Sequence, residues 1–230
     1  MKLLEKIFSK PAGRQCFAQC GEDIIIDNIL EGSFRISRPT YLDVGAHHAT
    51  FLSNTYFFYK KGGRGVCVEA DPILCAEIKK QRPRDVCLNI GVGVTEETNA
   101  DFFIMTSKTL NTFSKQEAER YQSYGNQKIE TVIKVPLVSI NRVIAENFDV
   151  CPNFISLDVE GLDDAIIRSF NFELFRPEVF CIETLAYAED KSETKITEII
   201  EIMTAKNYFV YADTFLNTIF IDKTAWSKRQ

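Results

Sequence analysis

Short apolar runs alternate with stretches of helical period along most of the chain. The runs Thr40–Gly45, Gly65–Glu69, Asp85–Ile90, Asn153–Asp158 and Glu178–Glu183 are nearly continuous in apolar character and are bounded by polar or turn residues. That is the pattern of strands covered on both faces. The intervening segments carry helix signals. Ser53 can cap a helix through Lys61, which Gly62-Gly63 would stop. Pro72 suits the first turn of a helix ending before Pro83. Asp163 and Asp164 suit the first turn of another, ending near Phe170. A long helix is predicted over Ser192–Lys206, where Ile196, Ile199, Ile200 and Met203 make one apolar face. Strands alternating with helices predict βαβ units and a mainly parallel sheet.

Two departures refine this α/β reading. Tyr208–Ala212 and Thr218–Asp222 are apolar runs joined by only five residues. No crossover helix fits between them, so they are expected to pair antiparallel. The segment Gly91–Phe148 breaks the rhythm between the third and fourth main strands. It reads as an insertion with strands at Asp101–Met105 and Thr131–Val138, a polar stretch around Thr106–Lys128 and a helix at Ser139–Phe148. Such an insertion can cover a sheet edge or the mouth of a site.

The 230 residues suffice for one good-sized core or two small ones. Charges are mixed in sign with a net of −5, which argues against the basic stripe of a nucleic-acid surface. The N-terminal apolar run is broken by charge, unlike a secretory signal, and no stretch is long and apolar enough to span a bilayer. The seven cysteines are scattered, and Cys67, Cys87 and Cys181 fall inside predicted strands. A reduced, cytoplasmic protein without a disulfide framework is the expectation.

Ligands of open parallel sheets bind beyond the carboxyl ends of the strands. The predicted strands end in Asp43-Val44-Gly45-Ala46, Glu69-Ala70-Asp71, Asn89-Ile90-Gly91, Asp158-Val159-Glu160-Gly161 and Glu183-Thr184. Burial alone does not predict polar residues at all five ends. Glu69 is placed to accept hydrogen bonds from a ribose diol, and a carboxylate there repels a 2′-phosphate. Asn89 can offer a donor and an acceptor to an adenine edge, and Gly45 clears the way for a ligand near the backbone. A dinucleotide site would show G-x-G-x-x-G, but here the sequence is Gly45-Ala46-His47-His48-Ala49-Thr50. Asp43 just before the glycine would repel a pyrophosphate and suits a cationic tail. That favours S-adenosylmethionine.

At this point the chain resembles the FkbM family of S-adenosylmethionine-dependent methyltransferases. The resemblance is carried by Gln19-Cys20-Gly21-Glu22-Asp23, Leu42-Asp43-Val44-Gly45-Ala46, Leu52-Ser53-Asn54-Thr55-Tyr56 and Val68-Glu69-Ala70-Asp71-Pro72. Leu88-Asn89-Ile90-Gly91, Thr109-Leu110-Asn111-Thr112-Phe113 and Ser156-Leu157-Asp158-Val159-Glu160-Gly161 complete it, in family order from Ala18 to Asp222. It implies a Rossmann-like class I methyltransferase fold, with a seven-stranded mainly parallel sheet over residues 40–230 and a helical lid or cap over residues 1–39. It also implies O-methylation of a hydroxyl on a sugar, polysaccharide precursor or secondary metabolite. Asp43 and Gly45 would hold the methionine part, Glu69 the ribose and Asn89 the adenine side, with Ala46, Ala70 and Ile90 also at the cofactor. Asp158 would face the transferring methyl group. The loop His47-His48-Ala49 departs from the small residue and glycine of many relatives.

A hydroxyl acceptor benefits from a base that takes its proton as the new bond forms. Asp158 is the first choice, with His47 the second. Acceptor contacts are expected from Gln19, Asp23, Asn111, Thr112 and Glu160. Asp158 and Glu160 point to one side of a strand and could reach Mg²⁺, although Glu160 bonding backbone amides in a tight turn is the favoured reading. Two other function classes remain. A glycosyltransferase-like enzyme could use Asp158-x-Glu160 for a metal-bound nucleotide sugar, but it leaves Asp43 and Glu69 unexplained. A non-catalytic binding protein on the same fold is the other.

Overall fold

The computed structural model describes residues 13–95, 98–159, 161–186 and 194–229. Seven strands form one sheet: β1 (Thr40–Val44), β2 (Arg64–Val68), β3 (Val86–Leu88), β7 (Phe154–Leu157), β8 (Val179–Glu183), β11 (Tyr208–Asp213) and β12 (Asn217–Asp222). Their order is β3-β2-β1-β7-β8-β12-β11. All pairs are parallel except β12 with β8 and β11 with β12. The expected seven-stranded sheet with an antiparallel C-terminal hairpin is therefore present. Between β3 and β7 lies the expected insertion. There β4 (Gly91–Val92), β5 (Asn99–Met105) and β6 (Ile129–Val138) make a second sheet in the order β4-β6-β5. A small ladder joins β9 (Leu185–Ala186) to β10 (Thr194–Lys195).

Strand alternation explains why both faces are buried. On β1, Tyr41 packs into one core with Ile26, Leu30, Phe58 and Phe154. Its neighbour Leu42 points into the other with Val66, Ile155, Ile166 and Ile199. Helices α1 (Glu22–Asp27), continued by a π-helical turn to Ser33, and α2 (Tyr56–Lys60) cover the first face. On the second, α5 (Ile140–Asn147), α6 (Asp163–Ser169) and α7 (Thr197–Ala205) supply Val143, Ile144, Ile166, Ile167, Ile199 and Met203. Helix α3 (Pro72–Gln81) packs through Cys75 and Ile78 onto Cys67 and Cys87, thiols that act as small buried hydrophobes. The N-terminal segment before β1 is part of the core, since Ile26, Ile29 and Leu30 are fully buried.

Several boundaries differ from the sequence pattern for local reasons. The helix expected from Ser53 begins only at Tyr56. Leu52 sits at φ 54, outside the helical region, and Ser53 instead accepts the Tyr56 N–H through its hydroxyl. Strand β3 loses Asp85, whose carboxylate turns inward to the Gly65 N–H, the Tyr41 hydroxyl and Arg82. The long helix starts at Thr197, because Thr194 and Lys195 pair with Ala186 and Leu185. Its expected first residues, Ser192 and Glu193, lie outside the described residues. The polar stretch in the insertion contains a helix, α4 (Lys115–Ser123), capped by Ser114. Only Ala118 and Tyr121 of it are buried, too narrow an apolar stripe to stand out in the sequence.

Candidate functional site

Strand order reverses at β1, which pairs with β2 on one side and β7 on the other. A crevice beyond the carboxyl ends is expected at such a point, and a cavity of about 320 Å³ lies there. Gly45 turns the chain out of β1 at φ 83, and a Cβ on it would stand 1.8 Å from the Asp158 carbonyl oxygen. Only glycine allows β1 and β7 to run this close and still open the loop above them.

Glu69 ends β2 and lines the cavity, with 6% of its surface exposed. Its carboxylate accepts the backbone N–H groups of His47 and Asp71, both at 2.7 Å. An ionised carboxylate has about four lone-pair directions, so two remain for a ligand. Burial pushes Glu69 up to about 7 against the pull of those two hydrogen bonds. Ala70, Ile90 and Gly91 line the same wall. Asn89 does not line it. Its amide donates to the Glu69 and Ala70 carbonyls, both at 2.9 Å, and so fixes the backbone carrying Glu69.

Asp158 and Glu183 end the adjacent strands β7 and β8, and both face the cavity. The parallel register that pairs Leu157 with Ile182 sets their two carboxyl groups side by side. Burial raises Asp158 to about 6, the adjacent Glu183 carboxyl opposes it, and the charges of Asp43 and Glu22 add to it. Asp163, at the start of α6, accepts the Val159 N–H and is raised to about 8 by burial and by Asp158. Asp43 faces away from the cavity. It accepts the Thr55 hydroxyl and lies 3.9 Å from a guanidinium nitrogen of Arg82. Arg82 is fully buried. It bonds Asp85 at 2.7 Å, the Thr55 hydroxyl at 2.9 Å and the Tyr41 hydroxyl at 3.3 Å.

His47 lines the cavity at φ 50, and burial lowers its pKa. His48 turns away and accepts the Thr50 and Phe51 N–H groups through Nδ1, closing a loop turn. Gln19, Leu52 and Leu216 approach the cavity from three segments. Hydrogen bonds tie those segments together: Ser53 N–H to the Phe17 carbonyl, and Thr214 and Asn217 to the Glu22 carboxylate. Asp23 does not line the cavity, because its carboxylate accepts the Phe17 and Ala18 N–H groups. From the insertion come Phe102, Lys108, Leu110, Asn111, Thr112 and Phe113. Asn111 bridges the insertion to Asp71 at 3.2 Å and accepts the Met105 N–H.

The profile of the methyltransferase FkbM domain matches residues 43–210, most of the chain and every strand end just described, with Gln19 and Leu216 outside it. The chain belongs to the FkbM methyltransferase family. Its main sheet has the Rossmann-like class I methyltransferase topology. Solved structures resemble this FkbM protein more weakly. One is a TehB-like SAM-dependent methyltransferase from Corynebacterium glutamicum, at 11% identity and TM-score 0.44, covering 96% of this chain and 95% of that one. A second is an O-methyltransferase from Bacillus cereus in complex with SAH, at 12% identity and TM-score 0.43, covering 96% and 86%. A third is the Burkholderia thailandensis 1,6-didemethyltoxoflavin-N1-methyltransferase, at 13% identity and TM-score 0.43, covering 88% and 77%. At such scores the likeness carries no argument, and the strand order carries the fold. No curated protein matches the chain.

In this FkbM protein the cavity gathers Gln19, Gly45, His47, Glu69, Ala70, Ile90, Asn111, Thr112 and Asp158 from the residues singled out in the sequence. Asp43, Asn89 and Asp23 stand behind it and hold backbone or buried partners instead, and Ala46, buried beside Cys67, stands there too. Glu160 lies outside the described residues. Glu183, Lys108, Phe102 and Phe113 were not singled out. Glu183 alone had a legible signal, as the polar end of a strand. Among the described residues no three His, Cys, Asp or Glu are grouped to hold a metal ion, and no helix is long and apolar enough to cross a membrane.

The raised carboxyls fix a pH response. Glu69, Asp158 and Asp163 start from ordinary values of 4.5, 3.8 and 3.8 and reach about 7, 6 and 8 in the folded chain. The folded state therefore holds protons that the unfolded state releases. The stability they contribute is full below the ordinary values and is lost as pH rises through the raised ones. The ligand-free protein should lose on the order of 10 °C or more in Tm between pH 5 and pH 8. Thermal melts across that range check it, and a Tm that climbs with pH would contradict it.

Proposed function

We propose that this protein is an S-adenosylmethionine-dependent methyltransferase that methylates a hydroxyl of a sugar, a polysaccharide precursor or a secondary metabolite. The observation that carries the reading is the set of groups in the cavity. Glu69, Asp158 and Glu183 line it together with the apolar Ile90, Phe102 and Phe113, and the backbone is bare at Gly45. Three carboxyl groups fit a cationic ligand with a diol and disfavour a pyrophosphate. The apolar wall fits a nucleobase. Glu69 would take the ribose hydroxyls, Ala70, Ile90 and Phe113 the adenine, and Gly45 with Asp158 the methionine part. Asn89 supports the site by holding the Glu69 and Ala70 carbonyls, and Asp43 does so through Thr55 and Arg82.

When bound, S-adenosylmethionine supplies an electrophilic methyl group on a sulfonium. The protein then has to align an acceptor and remove its proton. The acceptor would enter past Gln19, Leu52 and Leu216, with Asn111 and Thr112 on the opposite wall, and the segment just before α1 would cap the mouth through Gln19. Asp158 is the base at the inner end. Asp158→Asn should cut turnover by roughly 10²–10⁴-fold, well beyond its loss of cofactor affinity. His47→Ala should cost less, because His47 stands nearer to Glu69, which bonds its backbone N–H. Steady-state kinetics with calorimetry for binding would compare the two. Mass spectrometry of small molecules released from the purified protein tests the cofactor, with S-adenosylmethionine or S-adenosylhomocysteine expected. Neither compound bound, and no heat on titrating either, would defeat the reading. Methyl transfer to a panel of hydroxylated sugars then tests the acceptor class.

A further inference from the structure

The Asp158–Glu183 contact sets a condition on the chemistry. Two carboxyl groups held side by side in one cavity repel when both are ionised, so one proton is kept between them. The pair sits at matching ends of two adjacent parallel strands, and both members face the cavity. We infer that Asp158 and Glu183 act as one proton-holding pair, which gives up its proton when a cationic methyl donor binds and takes one back from the acceptor hydroxyl. Glu183 is thus a positioning residue that works through Asp158. This inference rests on the methyl-donor reading above and specifies how its base is kept ready.

The charges around the pair explain the exchange. Asp43 on β1 and Glu22 on α1 add negative charge to its surroundings, whereas Asp163 on α6, raised to about 8, is neutral near pH 6. Among the described residues, Glu69, His47 and Lys108 are the other titratable groups lining the cavity. In this acidic neighbourhood the pair keeps a proton, in line with the raised value at Asp158. A sulfonium and an ammonium placed beside it favour the ionised pair, so the proton leaves on binding. During transfer the acceptor O–C bond forms and the C–S bond breaks. The C–S electron pair goes to sulfur and the hydroxyl proton goes to the pair. The sulfonium charge is gone, the thioether is neutral, and the pair is again singly negative with its proton shared. Donor and product therefore differ in the charge they place next to the pair, and the pair's proton count differs with them.

The test is the number of protons exchanged on binding. Calorimetry would titrate S-adenosylmethionine and S-adenosylhomocysteine into the full chain near pH 6, in buffers of different ionisation enthalpy. Glu69 meets the same ribose in both ligands, so its contribution cancels in the difference. The wild type should release roughly half a proton more with S-adenosylmethionine than with S-adenosylhomocysteine at that pH. The excess should vanish in Glu183→Gln, whose amide donates to an already ionised Asp158, and persist in Asp163→Asn. Should Glu183→Gln fail to fold, Asp158→Asn is the substitute, with the same loss expected. Equal proton release for the two ligands in the wild type overturns the inference while leaving the methyltransferase reading intact. An excess that survives in Glu183→Gln, or disappears in Asp163→Asn, also overturns it. Absence of binding by both ligands overturns the reading and the inference together.

Discussion

Gly45→Ala is expected to destabilise the protein by about 3–5 kcal/mol and to abolish cofactor binding. Two costs add. The residue holds φ 83, where an alanine is strained, and its Cβ would stand 1.8 Å from the Asp158 carbonyl oxygen. The neighbour is backbone, on a strand buried in the middle of the sheet, so it cannot rotate aside as a side chain would. Relief must come from pushing the β1 and β7 ends apart. That moves Asp158, the loop carrying His47, and the His47 N–H that Glu69 accepts. Chemical denaturation gives the stability, and calorimetry with S-adenosylhomocysteine gives the binding. A variant that binds as well as wild type would mean that the strand ends have more freedom than this contact implies.

Arg82→Met has a comparable expected cost by another route. Arg82 is fully buried, and it is hydrogen-bonded to Asp85, Thr55 and Tyr41 with Asp43 close by. Removing one partner of a buried ion pair leaves the other charge uncompensated and costs about 3–5 kcal/mol. For a chain of this length that lowers Tm by on the order of 10 °C. The double variant Arg82→Met with Asp85→Leu removes both charges and should regain a large part of the loss. A thermal-melt cycle over the four proteins measures the coupling. Independent, additive effects of the two substitutions would refute the pairing.

Arg82 also shows where sequence reading stops. It follows Lys79, Lys80 and Gln81 at the end of a helix, a setting in which an arginine is ordinarily solvated. Its burial depends on Asp85, Thr55, Tyr41 and Asp43 meeting around it, which only the folded sheet arranges. The strand ends were legible because apolar runs stop abruptly at Glu69, Asp158 and Glu183, and the cavity gathers all three. Residue type did not reveal which way a side chain turns once past the sheet. Asn89 and Asp43 stand at strand ends as expected, yet Asn89 bonds two carbonyls and Asp43 bonds Thr55. The insertion was legible as a cover. Its contributing side chains, Phe102, Lys108 and Phe113, were not, because the facing of a short twisted sheet is decided by what it packs against.

The Glu22 contacts carry a consequence for how the chain comes to be folded. Its carboxylate accepts Thr214 and Asn217, which lie 192 and 195 positions further along. Strand β12, which begins at Asn217, is inserted between β8 and β11. The mouth of the cavity is therefore closed by contacts of very high sequence separation, the kind that form late because their loop-closure entropy must first be overcome. A nascent chain lacking the hairpin can build β1, β2 and β7 but not the rim that joins Gln19, Leu52 and Leu216. Binding competence should thus arrive with the last strand, as the final step of folding.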